Sequence, residues 1–367
     1  MKDKINHIIV IVGFLFILYG LMLLNIFLPD KDISYSERRS LAKVPKFTLE
    51  NLLNGEWFED YEKYLLDQFV LRDEFRGLKA FTRFYLLRQK DNNDIYVIDG
   101  NINKIEYPLN DKAIENAADK LNEVYDKYLE GMNVSYAIIP DKNYFTAAKH
   151  GYLSIDYEKL IQIMNQKVKN MNYINIFHSL ELEDYYRTDI HWRQDRLLDI
   201  ADLLLNEMGA KGLAAGESYQ EKSLYPFYGS YYGQAALKLE ADTLVYLTND
   251  ILKEAVVYDH IDSTYSKVYM EEKFNSVDSY DFFLAGAKSI ITITNPAPTT
   301  QRELIIFRDS FGSSIAPLLL QSYAKLTLID LRYIGTDLLK DYMDFSKDAD
   351  VLFLYNTLIL NNSYMLK

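Results

Sequence analysis

The hydrophobic pattern of the chain opens with one long apolar run. Residues 8–28 carry no charged side chain. At about 1.5 Å per residue the run spans ~30 Å as a helix, roughly the thickness of a bilayer core. Two lysines precede it, and basic residues favour the cytoplasmic side of a membrane helix. We therefore expect residues 1–29 to form a cytoplasmic tip and one transmembrane anchor, with the remainder extracytoplasmic. A cleaved signal peptide and a buried core helix are the alternatives, although Leu28-Pro29-Asp30 lacks the small-residue pattern of a cleavage site.

The pattern then changes to a polar stretch followed by apolar residues at helical spacing. Residues 30–48 are polar and indicate a juxtamembrane linker. Between Leu49 and Arg88, two groups of apolar residues recur at intervals of three and four. The sequence therefore predicts a linker and a helical hairpin over residues 30–90.

Beyond residue 90, short apolar runs alternate with segments of helical period. This alternation predicts an α/β fold with a mostly parallel sheet and helices on both faces, over residues 91–367. A segment at about 210–285 is rich in Tyr, Gly and Asp and interrupts the alternation, so we expect an insertion of hairpins and loops there. The predicted strands are 94–99, 134–139, 173–177, 289–294, 303–307, 326–331 and 351–354, and the predicted helices are 113–129, 157–171, 194–208, 314–323 and 336–345.

Composition excludes several classes of chemistry. The 367 residues include no cysteine, which removes disulfides, thiolate nucleophiles and cysteine-bound zinc. The formal charge of −13 argues against non-specific nucleic-acid binding, which needs a basic surface. No nucleotide-binding or zinc-protease motif occurs, and the five histidines are scattered. We therefore expect neither a metal nor a cofactor.

Two short motifs carry candidate chemistry. In an extended segment Asp189 and His191 would point to the same side, so the carboxylate could orient the imidazole as a general base. Ser310 follows an apolar strand and precedes a helix, where α/β folds place their sites and where backbone N–H groups can stabilise an oxyanion. The alternatives are a helix cap for Asp189, a surface position for His191 and an N-cap for Ser310.

Two later strand ends add candidate hydrogen-bond donors. Gly335 follows one predicted strand and Asn356 follows the next, and we expect both to contribute to an oxyanion hole. A turn glycine and a helix cap are the alternatives at these positions. The succession of Ser, Gly and Asn at strand ends favours acyl transfer.

These motifs resemble those of a known family. Asp-Ile-His-Trp at 189–192 and Arg-Asp-Ser-Phe at 308–311, in this order, resemble the bacterial DHHW family. That family is similar to the alginate O-acetyltransferase-like proteins, a permuted part of the SGNH-hydrolase superfamily. Residues 35–41, 67–72 and 139–142 also look like the family. Ile190 replaces the family's second motif histidine, and Asn356 lacks the usual Gly-x-Asn-Asp surroundings.

The resemblance implies a fold and an activity. It implies an SGNH-hydrolase-like three-layer fold and a Ser310–His191–Asp189 site that acylates a cell-surface or secreted polysaccharide. It also implies a multi-pass membrane O-acyltransferase as the acetyl donor. The function expected from sequence is therefore a membrane-anchored, extracytoplasmic polysaccharide O-acetyltransferase.

Other functions stay open at this point. A carbohydrate O-acetyl esterase would use the same residues, and a non-catalytic glycan-binding or assembly protein could keep the fold. We expect Arg308 to contact an anionic acceptor, with a surface ion pair as the alternative. Tyr231 and Tyr232 are candidates for stacking on sugar, with burial in the core as the alternative.

Overall fold

The chain forms two compact units of α/β and helical structure. The computed structural model describes residues 2–210, 218–345 and 349–367. One unit comprises Met1–Asn92 and Gly233–Lys238, and the other comprises Asn93–Tyr232 and Leu239–Lys367. Residues 211–217 of the predicted insertion and 346–348 beyond the predicted last helix lie outside the described residues.

The helices and strands are numbered here in chain order. The helices are α1 (Lys2–Phe27), α2 (Leu49–Leu53), α3 (Glu56–Gln68), α4 (Arg72–Phe81), α5 (Asp111–Val124), α6 (Lys142–His150), α7 (Tyr157–Lys167), α8 (Leu198–Glu207), α9 (Ser230–Ala235), α10 (Asp250–Glu254), α11 (Gly312–Leu319) and α12 (Thr357–Leu360). The strands are β1 (Ile33–Ser34), β2 (Arg39–Ser40), β3 (Ile95–Ile98), β4 (Asn101–Lys104), β5 (Asn133–Ile139), β6 (Asn172–Ile174), β7 (Gln220–Phe227), β8 (Asp242–Thr248), β9 (Val256–Asp259), β10 (Thr264–Lys267), β11 (Ile290–Thr294), β12 (Glu303–Arg308), β13 (Lys325–Ile329) and β14 (Ala349–Asn356).

The first unit contains the apolar N-terminal helix. Within α1, Lys4–Phe27 is long and apolar enough to cross a membrane, and none of its most apolar part is buried. Helices α3 and α4 follow a polar linker and are joined by a short turn in which Leu71 has a φ of 57°. The linker is tied to these helices by the ion pairs of Arg39 with Asp67 and of Arg72 with Glu37.

The second unit is built on an eight-stranded sheet in the order β10-β9-β11-β13-β12-β14-β5-β6. The five strands from β13 to β6 in this order are parallel to one another. Strands β11, β9 and β10 extend the other edge in antiparallel pairs. The predicted α/β class with a mostly parallel sheet is confirmed.

Alternating side chains of the central strands fill two cores. Leu304 and Ile306 of β12 join a core that includes α8 and α11. Ile305 and Phe307 join the opposite core, which includes α5 and α7. Because successive side chains of a strand point to opposite faces, a continuous apolar run is what a strand covered on both faces requires.

The structure differs from the sequence prediction in three segments. Strands β9 and β10 belong to the edge of the main sheet, although they lie in the segment predicted as an insertion; only β7 and β8 form a separate hairpin among the described residues there. Strand β3 pairs with β4 outside the main sheet, because Asp99 and Gly100 both have positive φ, as in a tight hairpin turn. The predicted helix at 336–345 is a 3₁₀ turn over Thr336–Asp341, whose N-cap Gly335 offers no side-chain acceptor.

Candidate active site

Ser310 lies in a tight turn at the carboxyl end of a central parallel strand. Strand β12 ends at Arg308, and α11 begins two residues after Ser310. The Asp309 carboxylate fixes this turn, since it accepts the backbone N–H groups of Phe311 (2.9 Å) and Asn356 (2.7 Å). Ser310 is half-buried. Its backbone N–H donates to no acceptor within the described part of the chain.

The structure brings Ser310, His191 and Asp189 together. The Ser310 Oγ lies 2.8 Å from Nε2 of His191, and Nδ1 of the same ring lies 2.5 Å from Oδ1 of Asp189. The carboxylate is fully buried, and the imidazole is 6% exposed. In this arrangement the imidazole can remove the proton of the serine hydroxyl, and the carboxylate can stabilise the resulting imidazolium.

The Asp189 carboxylate is held by backbone donors on both sides. Oδ1 also accepts the backbone N–H of His191 at 2.9 Å, and Oδ2 accepts the backbone N–H of Ser230 at 2.5 Å. The preceding Gly229 passes so close that a Cβ there would collide with the backbone and Cβ of Asp189. A glycine at 229 is therefore a steric requirement of the site.

Aromatic rings hold the imidazole in place. The Tyr280 ring stacks on His191, and the Phe311 ring contacts it at 4.8 Å between centroids. The Tyr280 hydroxyl donates to Ser314 Oγ at 2.9 Å, and Trp192 Nε1 donates to the Phe311 carbonyl at 3.0 Å. Burial raises the pKa of the Tyr280 phenol, so it stays a neutral donor. Trp192 Nε1 also donates to Ser314 Oγ at 3.0 Å, so a side chain of the His191 loop bonds directly to a side chain of α11.

Lys142 supports the loop that carries the acid and the base. Its ammonium is buried and donates to the carbonyl oxygens of Tyr186 (2.7 Å), Arg187 (3.0 Å) and Asp189 (3.3 Å). It also donates to the carbonyl of Ile102 at 2.7 Å. Burial lowers the pKa of Lys142 to about 7, whereas the nearby Asp242 and Asp189 carboxylates act in the opposite direction. Removing the Lys142 amine would remove one hydrogen bond from each of these four carbonyl groups.

Asn356 caps a helix, and Gly335 begins a 3₁₀ turn. The Asn356 side chain donates to the Ile139 carbonyl at 3.0 Å and accepts the Leu358 N–H at 2.9 Å, so it caps α12. The oxyanion donor at Asn356 stays a prediction: the side chain is 1% exposed, and its amide nitrogen carries a second N–H besides the one bonded to Ile139. Gly335 begins the 3₁₀ turn, and a Cβ there would meet open space. No hydrogen bond in the described residues joins Gly335 to Ser310.

Burial also corrects the expectations for Arg308 and Tyr231. Arg308 is fully buried and donates to the Asp309 carbonyl and to Ser313 Oγ, so it cannot meet a polysaccharide at the surface. The Tyr231 ring is 4% exposed and lies in the core, where it cannot stack on a sugar. Tyr232 is half-buried, and its ring contacts the exposed Tyr228 at 4.5 Å.

Sequence reasoning did not single out three supporting residues. Tyr280 and Gly229 carry no motif, and their contacts with the site come from segments far apart along the chain. Lys142 lies in a segment that resembles the family, and its position shortly after a predicted strand, two residues beyond Pro140, was the available signal. In the described part of the chain, no group of three or more imidazole or carboxylate side chains is placed to hold a metal ion.

A family comparison matches the part of the chain that holds these motifs. Residues 153–329 match the sequence profile of the DHHW protein family. This range includes Asp189, His191 and Ser310, and the match confirms the resemblance predicted from sequence. No curated protein sequence matches the chain significantly.

Solved structures share the fold. A DHHW family protein from Eubacterium siraeum is 23% identical, with a TM-score of 0.58 over 75% of this chain and 94% of that one. Bacillus cereus PatB1 is 19% identical, with a TM-score of 0.59 over 73% of this chain and 97% of that one. The structure of PatB1 with a sulfonyl adduct is 19% identical, with a TM-score of 0.57 over 72% of this chain and 97% of that one. These likenesses confirm the predicted SGNH-hydrolase-like fold.

Proposed function

We propose that this chain is a membrane-anchored O-acetyltransferase that esterifies an extracytoplasmic polysaccharide through an acetyl–Ser310 intermediate. One observation carries the proposal: a half-buried serine at a strand end lies 2.8 Å from the imidazole of His191, whose other nitrogen contacts a buried carboxylate. This arrangement supports nucleophilic acyl transfer, in which the base must reach the hydroxyl and be oriented by a third group.

In the first step, Ser310 takes an acetyl group from an ester donor. His191 Nε2 accepts the hydroxyl proton as Ser310 Oγ forms a bond to the acetyl carbon. The bond from that carbon to the donor oxygen then breaks, and His191 returns its proton to the leaving oxygen. Asp189 stabilises the imidazolium between these two transfers.

In the second step, a sugar hydroxyl accepts the acetyl group. His191 takes the hydroxyl proton as the sugar oxygen bonds to the acetyl carbon, and Ser310 Oγ leaves and recovers a proton from the imidazolium. In both steps the tetrahedral oxyanion accepts a hydrogen bond from the Ser310 backbone N–H, and Gly335 remains a candidate for a second donor. Losing one such donor typically costs about 10²–10³ in rate.

Helix α1 would hold this chemistry at the membrane. The length and apolarity of Lys4–Phe27 support an anchor over residues 1–29, followed by a linker and hairpin to residue 90 and the catalytic region over 91–367. A single anchor places the site close to a multi-pass membrane O-acyltransferase that supplies acetyl groups, which raises the effective concentration of the two partners.

The acceptor polysaccharide would stack on exposed aromatic rings of the catalytic region. Tyr225 and Tyr228 are 65% and 43% exposed, and Tyr228 contacts the half-buried Tyr232. Tyrosine rings offer flat apolar faces beside a hydrogen-bonding tip, which suits sugars.

The proposal is tested by following where the acetyl group goes. The full chain in detergent micelles is given p-nitrophenyl acetate, with and without a mixture of neutral and acidic oligosaccharides. We expect acetylated oligosaccharide and a fall in free acetate when acceptor is present. Undiminished acetate release with no acetylated sugar would assign an esterase instead. Polysaccharide binding with no turnover at all would assign a non-catalytic role.

Two serine variants make the test specific. Ser310→Ala should abolish transfer. Ser135→Ala is the matched control, because Ser135 is buried in β5 and its hydroxyl has no hydrogen-bond partner within the described residues. It should retain full transfer.

A further inference from the structure

Helix α4 carries an exposed apolar face in the first unit. Leu71, Phe75, Leu78 and Tyr85 recur at helical spacing from the start of α4 into the following turn, and we call them the apolar stripe. Each is between 45% and 59% exposed. An exposed stripe of this kind on a helix is typical of a surface that is covered in the working protein.

Three polar residues of α4 are already paired within the same unit. Arg72 contacts Glu37 at 2.6 Å, Asp73 accepts the Ser36 hydroxyl at 2.9 Å, and Arg76 donates to the Gly233 carbonyl at 2.7 Å. Residues at these positions lie on the side of the helix away from the apolar stripe. The helix therefore has one side whose polar residues are paired and another side whose apolar residues are exposed.

The start of the stripe is held beside the end of the apolar N-terminal helix. The turn before α4 contributes the Val70 N–H, which donates to Asn25 Oδ1 at 2.7 Å. Gln68 exchanges two hydrogen bonds of 2.9 Å with the backbone of Lys31. Asn25 is three residues before the end of the apolar run, a rise of about 4.5 Å along a helix.

We propose that the apolar stripe inserts into the outer-leaflet boundary of the same bilayer that α1 crosses. This inference rests on the membrane anchoring proposed above. If Leu28 marks the end of the hydrocarbon region, the hydrogen bond of Val70 to Asn25 places the neighbouring Leu71 near that level. At this depth the apolar stripe would be covered by lipid. An amphipathic helix buries its apolar side about 5–10 Å into such a boundary. The first unit then has two attachments to the membrane, α1 and α4.

The absence of cysteine allows this depth to be measured one position at a time. Leu71→Cys and Leu78→Cys each carry one nitrobenzoxadiazole label in the full chain, reconstituted in phosphatidylcholine vesicles. Quenching by brominated phosphatidylcholine reports contact with lipid. Phe16→Cys, in the middle of α1, is the control for the anchor, and Glu59→Cys, on an exposed polar position of α3, is the control for water.

The inference predicts strong quenching at position 16, clear quenching at 71 and 78, and the water level at 59. Quenching at 16 with positions 71 and 78 at the level of 59 would overturn the inference alone and assign the stripe to a protein partner. No quenching at 16 would overturn the anchoring itself, and the inference with it. All four positions are exposed, so the label does not disturb a core.

Discussion

The phenol ring of Tyr280 lies face to face on the imidazole of His191, with 3.8 Å between ring centroids and 3° between the ring planes. The Tyr280 hydroxyl is fixed in turn by Ser314, a residue of α11, the helix that follows Ser310. The base is therefore positioned by ring packing as well as by its carboxylate partner. Such positioning keeps Nε2 aligned with the serine hydroxyl between turnovers.

Two substitutions of Tyr280 distinguish the contribution of its ring from that of its hydroxyl. Tyr280→Leu removes the stacking and should slow acetylation of Ser310 roughly 2- to 10-fold, since an aromatic pair contributes about 0.5–1.5 kcal/mol. Tyr280→Phe keeps the stacking and loses one hydrogen bond, so its rate should stay closer to the original. Pre-steady-state release of p-nitrophenol measures both. A larger loss in the Phe variant than in the Leu variant would contradict the positioning role of the ring.

Two glycines form a matched pair for alanine substitution. Gly229→Ala places a methyl group against the backbone of Asp189 and should reduce acetylation of Ser310 by about 100-fold, because displacement of about 1 Å at a site is costly. Gly335→Ala meets open space at an ordinary φ of −75° and keeps its backbone N–H, so activity should be retained. Equal activity of the two variants would show that the close approach of Gly229 to Asp189 is unimportant.

Lys142 should leave a signature in the pH dependence of stability. Burial lowers its pKa to about 7 in the folded chain, against roughly 10.4 when unfolded. Between these values the unfolded chain binds more protons, so the free energy of unfolding should rise with pH, by at most about 1.4 kcal/mol per pH unit. Lys142→Met removes this contribution and also removes one hydrogen bond from each of four carbonyl groups, of which the Arg187 carbonyl keeps the Ile102 N–H at 2.8 Å.

Urea unfolding in detergent at pH 7 and pH 9 tests this contribution. The gain in stability between the two pH values should be larger in the original chain than in Lys142→Met, since other groups titrate in both. An equal gain in the two proteins would contradict the assignment. The Met variant should also acetylate Ser310 more slowly, because the carbonyl groups of the Asp189 loop lose their common donor.

The sequence was sufficient to predict those strands and motifs that show a clear pattern over a few consecutive residues. The continuous apolar runs that became β5, β12 and β14 needed cover on both faces, and this alone favoured a parallel sheet. The spacing of Asp189 and His191 and the strand-to-helix position of Ser310 supplied the candidate chemistry. Their convergence, at 2.8 Å between Ser310 and His191, depends on contacts 119 residues apart.

Three expectations for the site depended on packing that the sequence does not show. Asn356, Arg308 and Tyr231 have the chemistry expected of a site, but only the packed structure decides whether a polar group is already bonded or a ring is already buried. The Asn356 side-chain oxygen accepts the backbone N–H of Leu358, the ordinary role of a residue at an N-cap, and its role as an oxyanion donor stays a prediction. Strands β9 and β10 were missed as sheet members because each has only four residues and a partly polar pattern; β10 is the edge strand of the sheet.

Peptide mass spectrometry after reaction of the full chain tests most directly whether Ser310 becomes acetylated with His191 as the base. The original chain, Ser310→Ala, His191→Ala and the control Ser135→Ala are exposed briefly to p-nitrophenyl acetate and digested. The account predicts one acetyl group on Ser310 in the original and control chains, none in Ser310→Ala, and slow formation in His191→Ala. An unmodified Ser310 in folded protein, or full-rate acetylation without His191, would contradict it.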